Sequence, residues 1–309
     1  MVSRTSASAI RLFRNRNFLL VLALGLGLVV GKPGASLTQP MVLPLLALVM
    51  VISALNISIR QFTSVKKVFR IVLYSLLLNY LLLGGIILLL AKWLILDYEL
   101  WVGFAVLALV PPASAVVPFS YTLGGDVPFS LIGMTGAYLA ALIIMPIGLV
   151  YLLGTQTFNP LDMVLVLAEL TLLPIIAARI LVRLGISRYI EPYRGSIVNW
   201  SLSIVTFTLI GLNRQAFISD FDVLIRTSII AVAISFFLAY LLETCARALH
   251  VKHEMIVSAI MMGTTKNWSM AGGLLLSLFS ARSTIPPAVC LFFAIFMVVW
   301  LGYRFRKYR

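Results

Sequence analysis

The stretch Met261 to Met270, MMGTTKNWSM, interrupts a run that otherwise reads as apolar helix, from MIVSAI on one side to AGGLLLSLF on the other. It places Lys266 near the middle of an expected membrane span, where a lysine costs about 3 kcal/mol on insertion scales. A charge kept there faces the protein interior or an aqueous cavity by default. The stretch is therefore read as a functional break in a spanning helix.

The rest of the chain supports a membrane setting. Of its 309 residues, 61% are hydrophobic and 11% charged, with a mean hydropathy of +1.07. A soluble domain carries about 25% charge, so the fold class expected is an all-α polytopic membrane protein. Hydropathy divides the chain into ten spans: 18–31, 39–59, 69–95, 100–123, 127–153, 160–182, 196–212, 222–246, 254–279 and 284–303. About 20 apolar residues per span leaves short loops. The basic head leads into FLLVLALGLGLVVG without a small-x-small cleavage site, so the first span reads as retained.

The net charge of +14 follows from topology. With a cytoplasmic N-terminus, 18 of the 24 basic residues fall inside: the head (Arg4, Arg11, Arg14, Arg16), three loops (Arg60 to Arg70, Arg179 to Arg194, Arg247 with Lys252) and the tail (Arg304 to Arg309). Lys32, Lys92, Arg214, Arg226 and Arg282 remain outside. This is the positive-inside pattern of a multi-pass plasma-membrane protein with both termini cytoplasmic. It needs no nucleic-acid partner; the lipid bilayer is the partner it implies. Cys245 and Cys290 lack C-x-x-C spacing, and His250 with His253 reads as a surface pair, so no metal site is expected.

Span 4, WVGFAVLALVPPASAVVPFSYTLGGD, carries Pro111 and Pro112 in mid-span, where a continuous helix cannot accommodate them, and Pro118 disturbs its second half again. The break at GTTKN in span 9 lies about half a chain further on. Interrupted spans at corresponding positions in two halves point to a transporter binding site built from freed backbone groups. The expected organisation is two inverted five-helix repeats, residues 1–153 and 154–309, with crossing helices 4 and 9 broken. Glu169, in VLVLAELTLLPII of span 6, has two open readings: a polar helix–helix or interfacial group, or a charge partner for Lys266. Asn199, Ser201, Ser203, Thr206 and Thr208 of span 7 either line a cavity or bond their own helix.

Taken in order, PLLALVMVISALNISIRQF, PPASAVVPFSYTLGGDVPFS, MMGTTKN and IPPAVCLFFAIFMVVW resemble the bile acid:sodium symporter family over all ten spans. The resemblance implies a panel of spans 1, 2, 6 and 7, a core of spans 3–5 and 8–10, and alternating access to small organic anions. It also exposes departures. The family's first crossing, Pro-Gly-Gly-Thr-Ala-Ser-Asn, aligns so that Gly-Gly falls on Pro112 and Ala113, Thr on Ser114, and Ser-Asn on Val116 and Val117. The valines offer no side-chain oxygen. Ser130 keeps a family hydroxyl, the next threonine becomes Met134, and the sodium-linked glutamine of span 3 falls on Asn79. In the second crossing, Glu-x-Gly-x-Gln-Asn, Gly263 matches, while Glu, Gln and Asn fall on Met261, Thr265 and Lys266. Asn267 takes the asparagine's place if the register slips by one.

Sodium needs several hard oxygens and is repelled by a neighbouring ammonium. Sodium is thus disfavoured as a cofactor, and Lys266 is expected to stand where relatives hold the ion. The candidate substrate- and ion-binding residues are Lys266, Thr264, Thr265, Asn267, Ser114, Pro111 and Pro112, with Asn79 and Ser130 carried over from the resemblance. A fixed cation, a proton-carrying lysine and an unrecognised sodium site remain alternatives, as does a proton-coupled carrier or exchanger of the wider cation/proton antiporter and auxin-efflux-like superfamily. No H-E-x-x-H motif, paired intramembrane carboxylates or intraspan histidine argues for an enzyme. The expected cargo is a small organic anion of unspecified identity, and neither monomer nor homodimer is favoured.

Overall fold

The computed structural model describes residues 16–55, 64–154, 156 and 158–306. Arg4, Arg11, Arg14, Arg60, Lys307 and Arg309, counted above for topology, lie outside them, as do Thr155 and Thr157 between expected spans 5 and 6. The described residues form helices and no strand. Among the described residues, seven continuous helical stretches are long and apolar enough to cross a membrane, and Phe18–Val30 and Tyr98–Leu109 are shorter apolar helices.

In chain order the helices are α1 (Arg16–Val30), α2 (Lys32–Thr38), α3 (Val42–Ala54), α4 (Val65–Leu76), α5 (Gly85–Leu94), α6 (Tyr98–Leu109), α7 (Val116–Leu123), α8 (Val127–Leu153) and α9 (Pro160–Arg183). They continue as α10 (Ser187–Ile190), α11 (Arg194–Leu212), α12 (Arg214–Ile218), α13 (Phe221–Val232), α14 (Leu238–Ala248), α15 (His253–Thr264), α16 (Trp268–Leu278) and α17 (Ile285–Arg304). Two compact units result. The first holds α1–α3 and the chain from Leu165 in α9 through α12; the second holds α4–α8, the start of α9, and α13–α17.

In the first unit, α11 packs along α1, α2 and α3. Thr208 Oγ1 lies 2.6 Å from Thr38 Oγ1 across that contact, and Arg179 donates to the Ala54 carbonyl. A cavity of about 260 Å3 opens between α1 and α11, walled by Leu22, Leu26, Trp200 and Phe207 among others. The span-7 hydroxyls of Ser203, Thr206 and Thr208 donate to the carbonyls of Asn199, Leu202 and Ile204, the back-bonding expected of hydroxyls in apolar helices.

The second unit is organised by two π turns and two breaks. A π turn, Leu77–Gly84, joins α4 to α5, and another, Ala233–Phe237, joins α13 to α14. Each is followed, one loop later, by a broken helix. α6 ends at Leu109 because Pro111 forces Val110 into extended backbone, φ −63° and ψ 150°. The chain restarts as α7 at Val116. Pro118 does not disturb this half, contrary to the sequence expectation. It sits in the first turn of α7, where a missing N–H removes no intrahelical bond. The second break runs from Thr265 (φ −117°, ψ 132°) to Asn267, between α15 and α16.

Loop chemistry fixes how these pieces enter. Gly124 closes α7 in the left-handed region at φ 79°, and the Asp126 carboxylate accepts from Phe129 N at 2.8 Å to cap α8. Asp97 caps α6, accepting from Glu99 N and Leu100 N, and pairs with Arg282 at 2.9 Å. At the other end, buried Glu243 accepts from Arg247 and Arg304, tying α14 to α17.

Burial alone would raise the Asp97 carboxyl, but the Arg282 hydrogen bond and charge, with the two backbone N–H groups, hold it below its ordinary value of 3.8. A carboxyl depressed in the folded state contributes stability above its unfolded pKa and loses it as pH falls through the folded one. Asp97→Asn keeps the capping oxygen and loses the charge. Its melting temperature in micelles is expected to lie below wild type at neutral pH, with the gap closing as pH drops below 3.8.

Candidate functional site

The two breaks meet. Asn267 N donates to Pro111 O at 2.9 Å, joining the second gap to the first. Lys266, directly before it, is fully buried, and its ammonium turns into the frayed C-terminal end of α6. Nζ donates to Ala108 O at 2.7 Å, Val110 O at 3.0 Å and Asn79 Oδ1 at 2.8 Å. The Tyr80 ring lies beneath it, 4.6 Å from Nζ to the centroid.

Each partner is present for a physical reason. Val110 O and Ala108 O lack helical donors because α6 stops at the prolines, and they carry the negative end of that helix's dipole. Asn79 comes from the π turn, where it is fully buried. Its Nδ2 donates to Met262 O and Thr265 O, each at 3.0 Å, satisfying the end of α15. With both amide hydrogens committed there, Oδ1 is directed at Lys266. Gly84 closes the π turn against α6; a Cβ there would stand 2.7 Å from Ala108 O, one of the ammonium's acceptors.

A three-donor ammonium facing three oxygens is fully satisfied. Of the two readings of Glu169, pairing with Lys266 is not what holds the ammonium. Glu169 lies exposed on α9, in the stretch assigned to the other compact unit, and Lys266 is held by carbonyl and amide dipoles. A buried cation saturated by such acceptors avoids the desolvation of a second charge.

The remaining candidates separate by what they bond. Asn267 caps α16, its Oδ1 accepting from Met270 N at 3.1 Å, while Nδ2 donates to Tyr138 Oη at 2.8 Å. Thr264 Oγ1 and Thr265 Oγ1 donate to Ile260 O and Met261 O of their own helix, so these hydroxyls serve the end of α15. Ser130 Oγ donates to Ser120 Oγ at 2.7 Å, both buried, linking α8 to α7. Ser114 is half-buried in the first gap, and Pro111 and Pro112 are buried there. Tyr80, Tyr138, Ser120 and the Ala108 and Val110 carbonyls escaped sequence reading. The tyrosines sit in ordinary apolar runs, and a carbonyl has no residue-type signature. Among the described residues, no group of three or more His, Cys, Asp or Glu side chains is placed to hold a metal.

Asn79→Leu would leave the ammonium short of one acceptor and two α15 carbonyls without their donor. Hydrogen bonds to charged groups are worth about 1.5–3 kcal/mol, so a loss of about 3 kcal/mol is expected, read as a lowered unfolding midpoint of the purified protein.

No curated protein matches the chain. The sequence model of the sodium bile acid symporter family matches residues 43–219, from α3 through the first break to the segment after α12. Lys266 lies beyond the matched residues, so its place at the junction of the breaks rests on geometry. The match spans more than half of the chain, and this multi-pass membrane protein belongs to the sodium bile acid symporter family, a family of membrane transporters.

Proposed function

We propose that the chain is a secondary active transporter of a small organic anion, working by alternating access without sodium, with the Lys266 ammonium in the place of the coupling cation. The observation that carries this reading is the acceptor set around Nζ: one amide oxygen and two backbone carbonyls freed by a broken helix. Freed carbonyls at half-helix ends are the groups with which transporters of this kind coordinate sodium. Here a covalently attached cation occupies them. A sodium ion brought to the same oxygens would meet a unit charge within a few ångströms, worth about 4 kcal/mol of repulsion at 4 Å and an effective dielectric of 20.

The wider architecture follows from the same reading. Ten spans form two inverted repeats, 1–153 and 154–309, in a plasma membrane with both termini cytoplasmic. In support, a helix with a π turn is followed by a broken helix once in each half. The compact unit of α1–α3 with α9–α12 is read as the panel, and the unit carrying both breaks as the core. The division of helices between the units supports that assignment.

Proteoliposomes offered a panel of labelled anions (a bile acid, a keto acid, pantothenate and an inorganic oxyanion) test the proposal. Uptake of at least one organic anion, equal in sodium and in choline medium, is expected. Uptake abolished by sodium removal would overturn the assignment of Lys266. An absence of uptake for every organic anion, with transport of a cation instead, would overturn the cargo class.

A further inference from the structure

We propose that Lys266 is a built-in counter-charge, so that the anion this carrier moves is monovalent and one-for-one exchange of that anion is electrically neutral. The inference rests on the transporter reading above and specifies its electrical balance.

The acceptors around Nζ are matched to the charged form of the lysine. Two of its three acceptors are backbone carbonyls, which cannot donate, and Asn79 cannot turn to donate because its amide hydrogens are spent on Met262 O and Thr265 O. A neutral amine would direct its lone pair at one of three oxygens. The Tyr80 face and the C-terminal end of α6 likewise favour the cation.

Among the described residues, no carboxylate bonds the ammonium. The titratable neighbours are Tyr80, whose hydroxyl donates to Ala137 O, and Tyr138, reached through Asn267. The carboxylates on the elements packed against the junction stand at their far ends. Glu99 is in the first turn of α6, Asp126 caps α8, and Glu254 is in the first turn of α15. Along a helix rising 1.5 Å per residue, each is about 15 Å or more from the junction. Glu243, the other buried charge among the described residues, is already matched by Arg247 and Arg304. Among the described residues, the unit that carries both breaks thus holds an uncompensated positive charge at its junction. Because Nζ is saturated and buried, it acts on the substrate through its field, which a low-dielectric surrounding transmits well.

The consequence is a division of electrical work. A carrier loaded with a monoanion is neutral and indifferent to membrane potential. The empty carrier bears one charge, and its reorientation is biased by voltage, up to about fiftyfold in equilibrium per 100 mV if the whole field is crossed.

The test uses the full-length protein reconstituted on a capacitively coupled supported membrane, in sodium-free and anion-substrate-free buffer. Voltage steps are expected to drive a transient charge movement. It is expected to disappear in Lys266→Met combined with Asn79→Leu, a pair that removes the cation and the amide it would leave behind. Retention of ordered structure in the pair is checked by its melting transition; should it fail to fold, Lys266→Arg, which keeps the charge, must retain the movement. In proteoliposomes loaded with whichever labelled anion the panel identifies, exchange is expected to be unaffected by a potassium diffusion potential, while net uptake changes with it. A movement that survives removal of the charge, or exchange that follows voltage, overturns the inference. Failure to carry any anion overturns the transporter reading instead, and the substrate-free measurement still decides the charge.

Discussion

The bonds from the Lys266 ammonium to Asn79, Ala108 and Val110 are the constraint on which the second unit is arranged. Breaking a helix within a bilayer leaves carbonyls with neither donor nor water, at a cost of several kcal/mol each. The prolines of the first gap create such carbonyls. The second gap supplies the donor that satisfies them, and the π turn supplies an amide that satisfies the end of α15 in turn. Each irregularity compensates another, so none of the three would be tolerated alone.

This mutual dependence explains the supporting details. Asn267 N closes the junction by donating to Pro111 O, and Gly84 is needed because the π turn must come close to Ala108 O. Ion pairs lie away from it, with Asp97 and Arg282 where α6 begins and Glu243 and Arg304 where α17 ends. The centre is held by dipoles and the ends by charges, as the dielectric gradient across a membrane favours.

How much of this was legible in the sequence depends on which residue types announce themselves. Pro111, Pro112 and Lys266 are conspicuous in apolar runs, and they located both breaks. The family resemblance was also legible, and it pointed to Asn79. Glu169 attracted a pairing hypothesis because charge suggests charge; the actual acceptors, Ala108 O and Val110 O, belong to residues indistinguishable from ordinary helix. The π turns left no trace either, since LLNYLLLG and AISFF carry the composition of any spanning helix. Thr264 and Thr265 stood out by type, and their hydroxyls donate to carbonyls at the unfinished end of α15.

The π turn at Leu77–Gly84 has a consequence for tracing the descent of the chain. A π turn accommodates an extra residue within a helix, so losing that residue would close the turn and re-aim the side chains within it while the helix beyond kept its register. Asn79 would then face a different neighbour without any change of amino acid. A relative lacking one residue in this segment therefore aligns perfectly well by hydropathy and still has another side chain over the junction. Insertion and deletion, more than substitution, are the events that would rewrite this site, and comparisons scored on identity alone will pass over them.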